Sequence, residues 1–451
     1  MNKLMQFWGR LRSSFWFMPS LMVANSAIFA VVLIQVDTAA FGWLSQWPRL
    51  LGVGAEGARQ MLSTLAGSMM TVMGITFSMT LLAMVLASGQ YTSRILSNFM
   101  RSRITQFTLG VFAGIFTYSL IVLRTIRVSA SGGFDEFVPG MAVFFAFVMS
   151  LGGIAILIYF IHHIASSIQA SSIIASVAQE TNASIDRLLP KKLDQEPDED
   201  ADRNLMLDLL DERTWYPVPA AKSGYIQSVN NAALLNQAEE IRTIVRMAHG
   251  IGAFVVQNTA LVSLALTYPP DQKTIAALND AFSIGRHRTV DQDPAFGIRQ
   301  IVDMAIKALS PGVNDTSTAV MCVDYLTSIL ARLAGRQFPP VHCYEGDTLR
   351  VVAIVSSFEG LLAEAFDQIR ASAEVNVAIL ARMLGAIDTI GSLTIRRSHI
   401  QALDEQLQWI AELADRTIEA PHDRARLERR LSEVRKKLET QSALCTADVK
   451  R

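Results

Sequence analysis

Cysteine and charge are both scarce in this chain. Cys322, Cys343 and Cys445 are its only cysteines, odd in number and widely spaced, which excludes a disulfide scaffold and fits a reducing compartment for the C-terminal part. Charged residues make up 18% of the 451 residues, against roughly 25% in a soluble globular domain. With a formal net charge of −1 there is no global basic field to gather phosphates, so nucleic acid is excluded as the main partner. No G-x-x-x-x-G-K, G-x-S-x-G, H-E-x-x-H or C-x-x-C occurs anywhere. The usual nucleotide, hydrolase and metal signatures are therefore missing, and neither a cofactor nor a catalytic residue is expected.

The apolar excess is concentrated in the first third. Met18–Val36, Leu65–Ser88, Phe107–Leu123 and Phe137–Ile161 contain no Asp, Glu, Lys or Arg. About 20 apolar residues at 1.5 Å each match a hydrocarbon core of roughly 30 Å, so the pattern predicts four transmembrane helices. The first is too long for the apolar part of a cleaved signal peptide. Lys3, Arg10, Arg12, Arg94, Arg101 and Arg103 outnumber Arg49, Arg59, Arg124 and Arg127 on the opposite side. By the positive-inside rule both termini are expected in the cytoplasm of a bacterial inner membrane.

No charged side chain falls in mid-span, which argues against a proton relay. The second span instead carries hydroxyls at helical spacing: Thr64, Ser68, Thr71 and Ser78, with Thr76 and Thr80 on another line. Such a face can line a wet pore. The same helix presents Gly67, Thr71, Gly74 and Ser78, small residues that let helices approach closely, and the third span repeats the motif at Gly110 and Gly114. Asn25 and Gln35 read as interhelical hydrogen-bond partners or interfacial groups. His162 and His163 at the end of span four have no evident third metal ligand.

Beyond the membrane region (1–163), residues 164–213 read as a helical continuation of span four toward Leu189, followed by an acidic linker. Residues 214–270 read as a small α+β module, with strands at Ser223–Val229, Arg242–Ala248, Ala253–Val256 and Leu261–Leu266 and a helix at Ala232–Glu240. A helical domain (271–420) with one further strand at Val351–Val355 follows. In the last segment (421–451), Leu427, Leu431, Val434 and Leu438 step by 4, 3 and 4, the spacing of a short coiled-coil seam or of packing on the same chain. The fold class expected is thus an α-helical membrane protein with a mainly helical α+β cytoplasmic domain.

The densest polar cluster runs from Gly285 to Thr318. Arg286, Arg288, Asp293 and Arg299 precede a helix that Ser310-Pro311-Gly312 breaks, and Asn314 or Asp315 stands where the next helix needs an N-cap. Two readings fit. The arginines receive a small anionic ligand at a helix N-terminus, or they pair with Asp291 and Asp293 while the S-P-G-V-N-D turn sets the angle between two helices. This run, together with G-I-T-F-S-M-T at Gly74, resembles an uncharacterised bacterial family of predicted membrane proteins, domain of unknown function 2254, over nearly the whole length. Thr316 follows Asp315 where the family pattern has proline. The resemblance implies an architecture and no activity.

Three functions compete: an oligomeric, channel-like conduit for ions or small solutes, lined by span two and regulated by the cytoplasmic domain; a membrane-anchored sensor or scaffold; and a membrane-bound enzyme centred on the Arg/Asp cluster. The lipid bilayer, other copies of the chain and a small anion are the partners expected.

Overall fold

The computed structural model describes residues 16–39, 54–90, 103–127, 137–167, 169–190 and 213–448. The chain divides into two units between Ser172 and Ile173. In the first, α1 (Phe17–Ala39), α2 (Ala55–Gln90), α3 (Arg103–Thr125) and α4 (Gly140–Ser167) contain the four apolar runs, apart from the lead-in at Phe137–Pro139. Helix α3 is central and packs against the other three. Its small residues explain the closeness. A Cβ on Gly110 would stand 2.5 Å from Met22 Sδ, and one on Gly114 2.5 Å from Ser26 Oγ, so both glycines seat α3 on α1. Outward apolar side chains such as Ile28, Leu151, Ile154 and Ile158 are 51–66% exposed, as expected of helices whose outer solvent is lipid.

One charged group is built into this unit. Asp37 near the end of α1 is 3% exposed and accepts from the backbone N–H groups of Met141 (3.1 Å) and Ala142 (2.9 Å) at the start of α4. Tyr118 of α3 donates to the Ala142 carbonyl at 2.8 Å. The carboxylate satisfies N–H groups that the first turn of a helix cannot pair internally. It is the only acidic residue before Glu56, a signal the sequence reading passed over. Asn25 and Gln35 are both exposed and join no two helices among the described residues.

Helix α5 (Ala170–Leu188), which belongs to the second unit from Ile173 on, is separate from α4, which ends at Ser167, so the expected continuation is not one helix. Apart from Pro190, the acidic linker lies outside the described residues. Two sheets follow. One, in the order β1-β5-β3-β8-β7, holds β1 (Tyr216–Pro219), β3 (Val245–Met247), β5 (Ala260–Leu264), β7 (His342–Glu345) and β8 (Thr348–Val352). The other, β4-β2-β6, holds β2 (Gly224–Val229), β4 (Phe254–Val255) and β6 (Phe282–Gly285). The sheets and the helices α6 (Asn231–Glu240) and α7 (Gln272–Asp280) share one apolar core including Ile226, Leu234, Val245, Leu261, Leu278 and Val351. The module expected over 214–270 therefore does not close at 270. β6 completes the small sheet, and β8 lies parallel to β3 with Val245 opposite Val351.

The remaining helices form an α layer: α8 (Pro294–Leu309), α9 (Thr316–Ala334), α10 (Phe358–Ala373), α11 (Val377–Leu393), α12 (Arg397–Thr417) and α13 (Pro421–Asp448). The C-terminal seam is used within the chain. Leu427, Val434 and Leu438 are buried, α13 packs on α11 and α12, and Leu438 fits against Gly391. It gives no separate support for self-association. By length and hydropathy five helices among the described residues qualify as membrane spans, one more than the four expected, the fifth being α9. Helix α9 carries Asp324 and Arg332 in its middle and last turns, ion-paired with Arg382 and Asp186, and packs on α8 and α11.

Gly297 of α8 seats α5. A Cβ there would overlap Thr181 Oγ1, while Thr181 is fully buried and donates to the Val177 carbonyl. Gly297→Val is expected to cost about 1–3 kcal/mol through overpacking, read as a fall in thermal midpoint, whereas Gly312→Ala, with open space around it, leaves the midpoint unchanged.

Candidate functional site

Three places carry the chemistry anticipated from the sequence: the hydroxyl face of α2, the polar cluster and a cavity in the second unit.

On α2, Thr64, Ser68, Thr71 and Ser78 fall within an arc of about 80° at 3.6 residues per turn, and all four are exposed. The opposite side, with Ala58, Leu62, Ala66, Met69, Thr76 and Thr80, is buried. Gly67 and Gly74 have open space around them, so the small-residue motif of α2, unlike that of α3, is not spent on packing among the described residues. Thr64 and Thr71 donate to the carbonyls of Gln60 (2.8 Å) and Gly67 (3.0 Å). Those bonds satisfy the hydroxyl hydrogens and leave oxygen lone pairs facing outward.

In the polar cluster the charges are engaged with one another. Arg288 donates through Nε and Nη2 to Asp293 Oδ2, each at 2.8 Å, and lies over the Phe296 ring at 5.1 Å. Asp293 is 4% exposed, and its Oδ1 accepts from the Phe296 N–H at 3.2 Å, capping α8. Burial pushes its carboxyl up from the ordinary range, against the pull of Arg288. Gly252, at φ +85°, passes close to this pair; a Cβ there would meet Asp293 Oδ2 at 2.5 Å and Arg288 Nη2 at 2.8 Å. Arg299 is bound to Asp303 (2.8 Å) and Glu364 (3.4 Å). Arg286 is exposed. The structure thus joins Arg288 with Asp293 and puts Arg299 on other carboxylates. The arrangement favours the structural reading of the cluster.

Asn314 and Asp315 form the α8–α9 turn. Asn314 adopts φ +48°, a left-handed conformation that asparagine tolerates better than most residues. Asp315 caps α9, accepting from the Thr318 N–H (3.0 Å) and hydroxyl (2.6 Å). Those two bonds hold its carboxyl below the ordinary range. A lowered folded-state pKa adds stability above the unfolded value of 3.8, and that stability is lost as pH falls through the folded value. Asp315→Ala is accordingly expected to cost about 0.5–1 kcal/mol at neutral pH. The difference in thermal midpoint from the parent should shrink steadily on acidification below the unfolded value.

Asp293 also borders a cavity of about 870 Å³ lying wholly within the second unit. Ser228, Asn230, Ser283 and Gln292 come to it from the small sheet and the loop before α8, and Met247, Phe338, Ile354 and Leu361 from the other elements. Of the site residues expected from the sequence, only Asp293 lines it. Ser228 and Ser283 were illegible because the β2–β6 pairing brings them together across more than fifty positions. No group of three or more potential metal ligands occurs among the described residues.

The chain was compared with known proteins. A family model described as "Predicted membrane protein (DUF2254)" matches residues 12–389. Uncharacterized proteins of Mycobacterium bovis and Mycobacterium tuberculosis are 28% identical over 431 residues, covering 92% of this chain and 79% of each relative. No solved structure matches.

Proposed function

The chain belongs to that family of membrane proteins, and on this premise we propose that it is an oligomeric, channel-like conduit whose α2 face, Thr64, Ser68, Thr71 and Ser78, lines the path for ions or small solutes. In this reading α1–α4 cross a bacterial inner membrane, both termini are cytoplasmic, and the second unit is a regulatory domain. The paired charges of α9 support counting it with the second unit and not among the spans, since charged side chains are costly in lipid.

The observation that carries the reading is the sidedness of α2: Thr64, Ser68, Thr71 and Ser78, with Gly67 and Gly74, stand on its exposed side, beside Ile75 and Leu82, while Ala58, Leu62, Ala66 and Met69 are buried against the fold. On such a face a second copy gains close approach and a partly polar lumen. Asn25 adds independent support. It is exposed within α1 and has no hydrogen-bond partner among the described residues, and an unpaired amide in hydrocarbon is costly until another helix covers it.

Cysteine accessibility tests the lining. With Cys343 and Cys445 replaced by serine, Thr71→Cys is expected to react with a membrane-impermeant thiol reagent in intact membranes, and Met70→Cys, exposed on a neighbouring face, to stay unmodified. Equal protection of both positions contradicts the reading.

A second reading, a membrane-anchored sensor, is favoured by the cavity of the second unit, which is preformed and within the size range of small-molecule sites.

A further inference from the structure

The cavity is two-sided in its chemistry. On one side the cross-strand pair Ser228 and Ser283 stands with two side-chain amides whose oxygens are already taken. Gln292 Oε1 accepts from the Val229 N–H at 3.1 Å, and Asn230 Oδ1 from the Ala233 N–H at 3.1 Å. Each amide is thereby oriented and keeps an uncommitted NH₂ donor pair. The other elements contribute hydrocarbon: Met247, Phe338, Ile354, Val355 and Leu361.

Charge narrows the ligand further. The charged lining groups are Lys222, Asp280 and Asp293. Asp293 is matched by the Arg288 guanidinium, and Lys222 and Asp280 carry opposite charges. Asn279 accepts from the Ala221 N–H (2.8 Å) and donates to the Pro219 carbonyl (3.0 Å), bolting the end of α7 to the turn after β1. Lys222 is the single cation of the lining and is exposed, so no cluster of buried cations stands ready to compensate a phosphate on burial.

From this lining we infer that the cavity binds an uncharged heterocyclic molecule of nucleoside size, its acceptor atoms on the Gln292 and Asn230 amides and the Ser228–Ser283 pair, its ring on the hydrocarbon side. The site is independent of the α2 conduit, and binding is read without any current. This assignment replaces the anionic ligand suggested by the arginines, whose donors are engaged elsewhere.

The experiment is saturation-transfer NMR on the full chain in detergent micelles, with adenosine, guanosine, cytidine and uridine, each against its 5′-monophosphate. At least one nucleoside is expected to bind saturably, its monophosphate at least tenfold more weakly. Gln292→Leu and, separately, Ser283→Leu at an exposed strand position are each expected to weaken binding about tenfold, the equivalent of roughly 1.4 kcal/mol. Absence of saturable binding by all four nucleosides overturns the assignment. So does equal or tighter binding of the monophosphates, or binding unchanged in both variants.

Discussion

Gly114→Leu is expected to prevent assembly of the membrane unit, leaving little monodisperse protein after detergent extraction. The reason is local. The position a Cβ would take is 2.5 Å from Ser26 Oγ, with the Met22 carbonyl oxygen already in van der Waals contact at 3.6 Å, so the side chain that must extend beyond that Cβ has no room. Accommodation requires α1 to move off α3. Overpacking by itself costs about 1–3 kcal/mol, and separation also forfeits the dispersion contacts that hold helices together in lipid. Helix α1 further carries Asp37, whose bonds to Met141 and Ala142 tie α1 to α4. Gly67→Leu on α2, where no atom lies within 4 Å, is the matched control. It should leave the monomer folded and lower the oligomer fraction in size-exclusion chromatography. Equal behaviour of the two variants contradicts the assignment of separate roles to the two glycine motifs.

Asp293→Ala is expected to cost the second unit about 3–5 kcal/mol, because it strands a partly buried guanidinium and uncaps α8. Arg288 keeps a quarter of its side chain exposed, which places the loss toward the lower end. Asp293→Asn retains an oxygen to cap Phe296 and should recover about 1 kcal/mol. Chemical denaturation of the full chain, followed by tryptophan fluorescence from Trp215 and Trp409, checks both values. A loss below about 1 kcal/mol for Asp293→Ala would mean that the pair does not hold the Gly252 turn to α8.

The sequence disclosed what is periodic and hid what depends on distant pairing. The charge-free runs located α1 to α4 because lipid demands long uninterrupted apolarity, and the S-P-G-V-N-D turn located the α8–α9 boundary because proline and an Asx cap are local devices. The helix α7 also had a local signal, Asp271 after Pro269-Pro270, which was overlooked; Asp271 caps it through the Thr274 N–H at 2.9 Å. The pairing of β3 with β8 had none. Strands of three and five residues are too short for alternation to be informative, and a parallel pair across such a span is chosen by the core, not by the strands. Burial decided the ambiguous stripes. Hydroxyls at 64, 68, 71 and 78 and leucines at 427 and 438 both fit packing or exposure, and only the fold shows that the first set is exposed and the second buried.

The most direct measurement of the central claim is ionic current through the purified protein in a planar bilayer, beside an empty membrane and the Thr71→Arg variant. The account predicts discrete unitary currents from the parent and their loss in Thr71→Arg, which places a guanidinium on the α2 face without touching the packed side of the helix. Silence from folded, oligomeric protein, or a folded Thr71→Arg that conducts as the parent does, would contradict it.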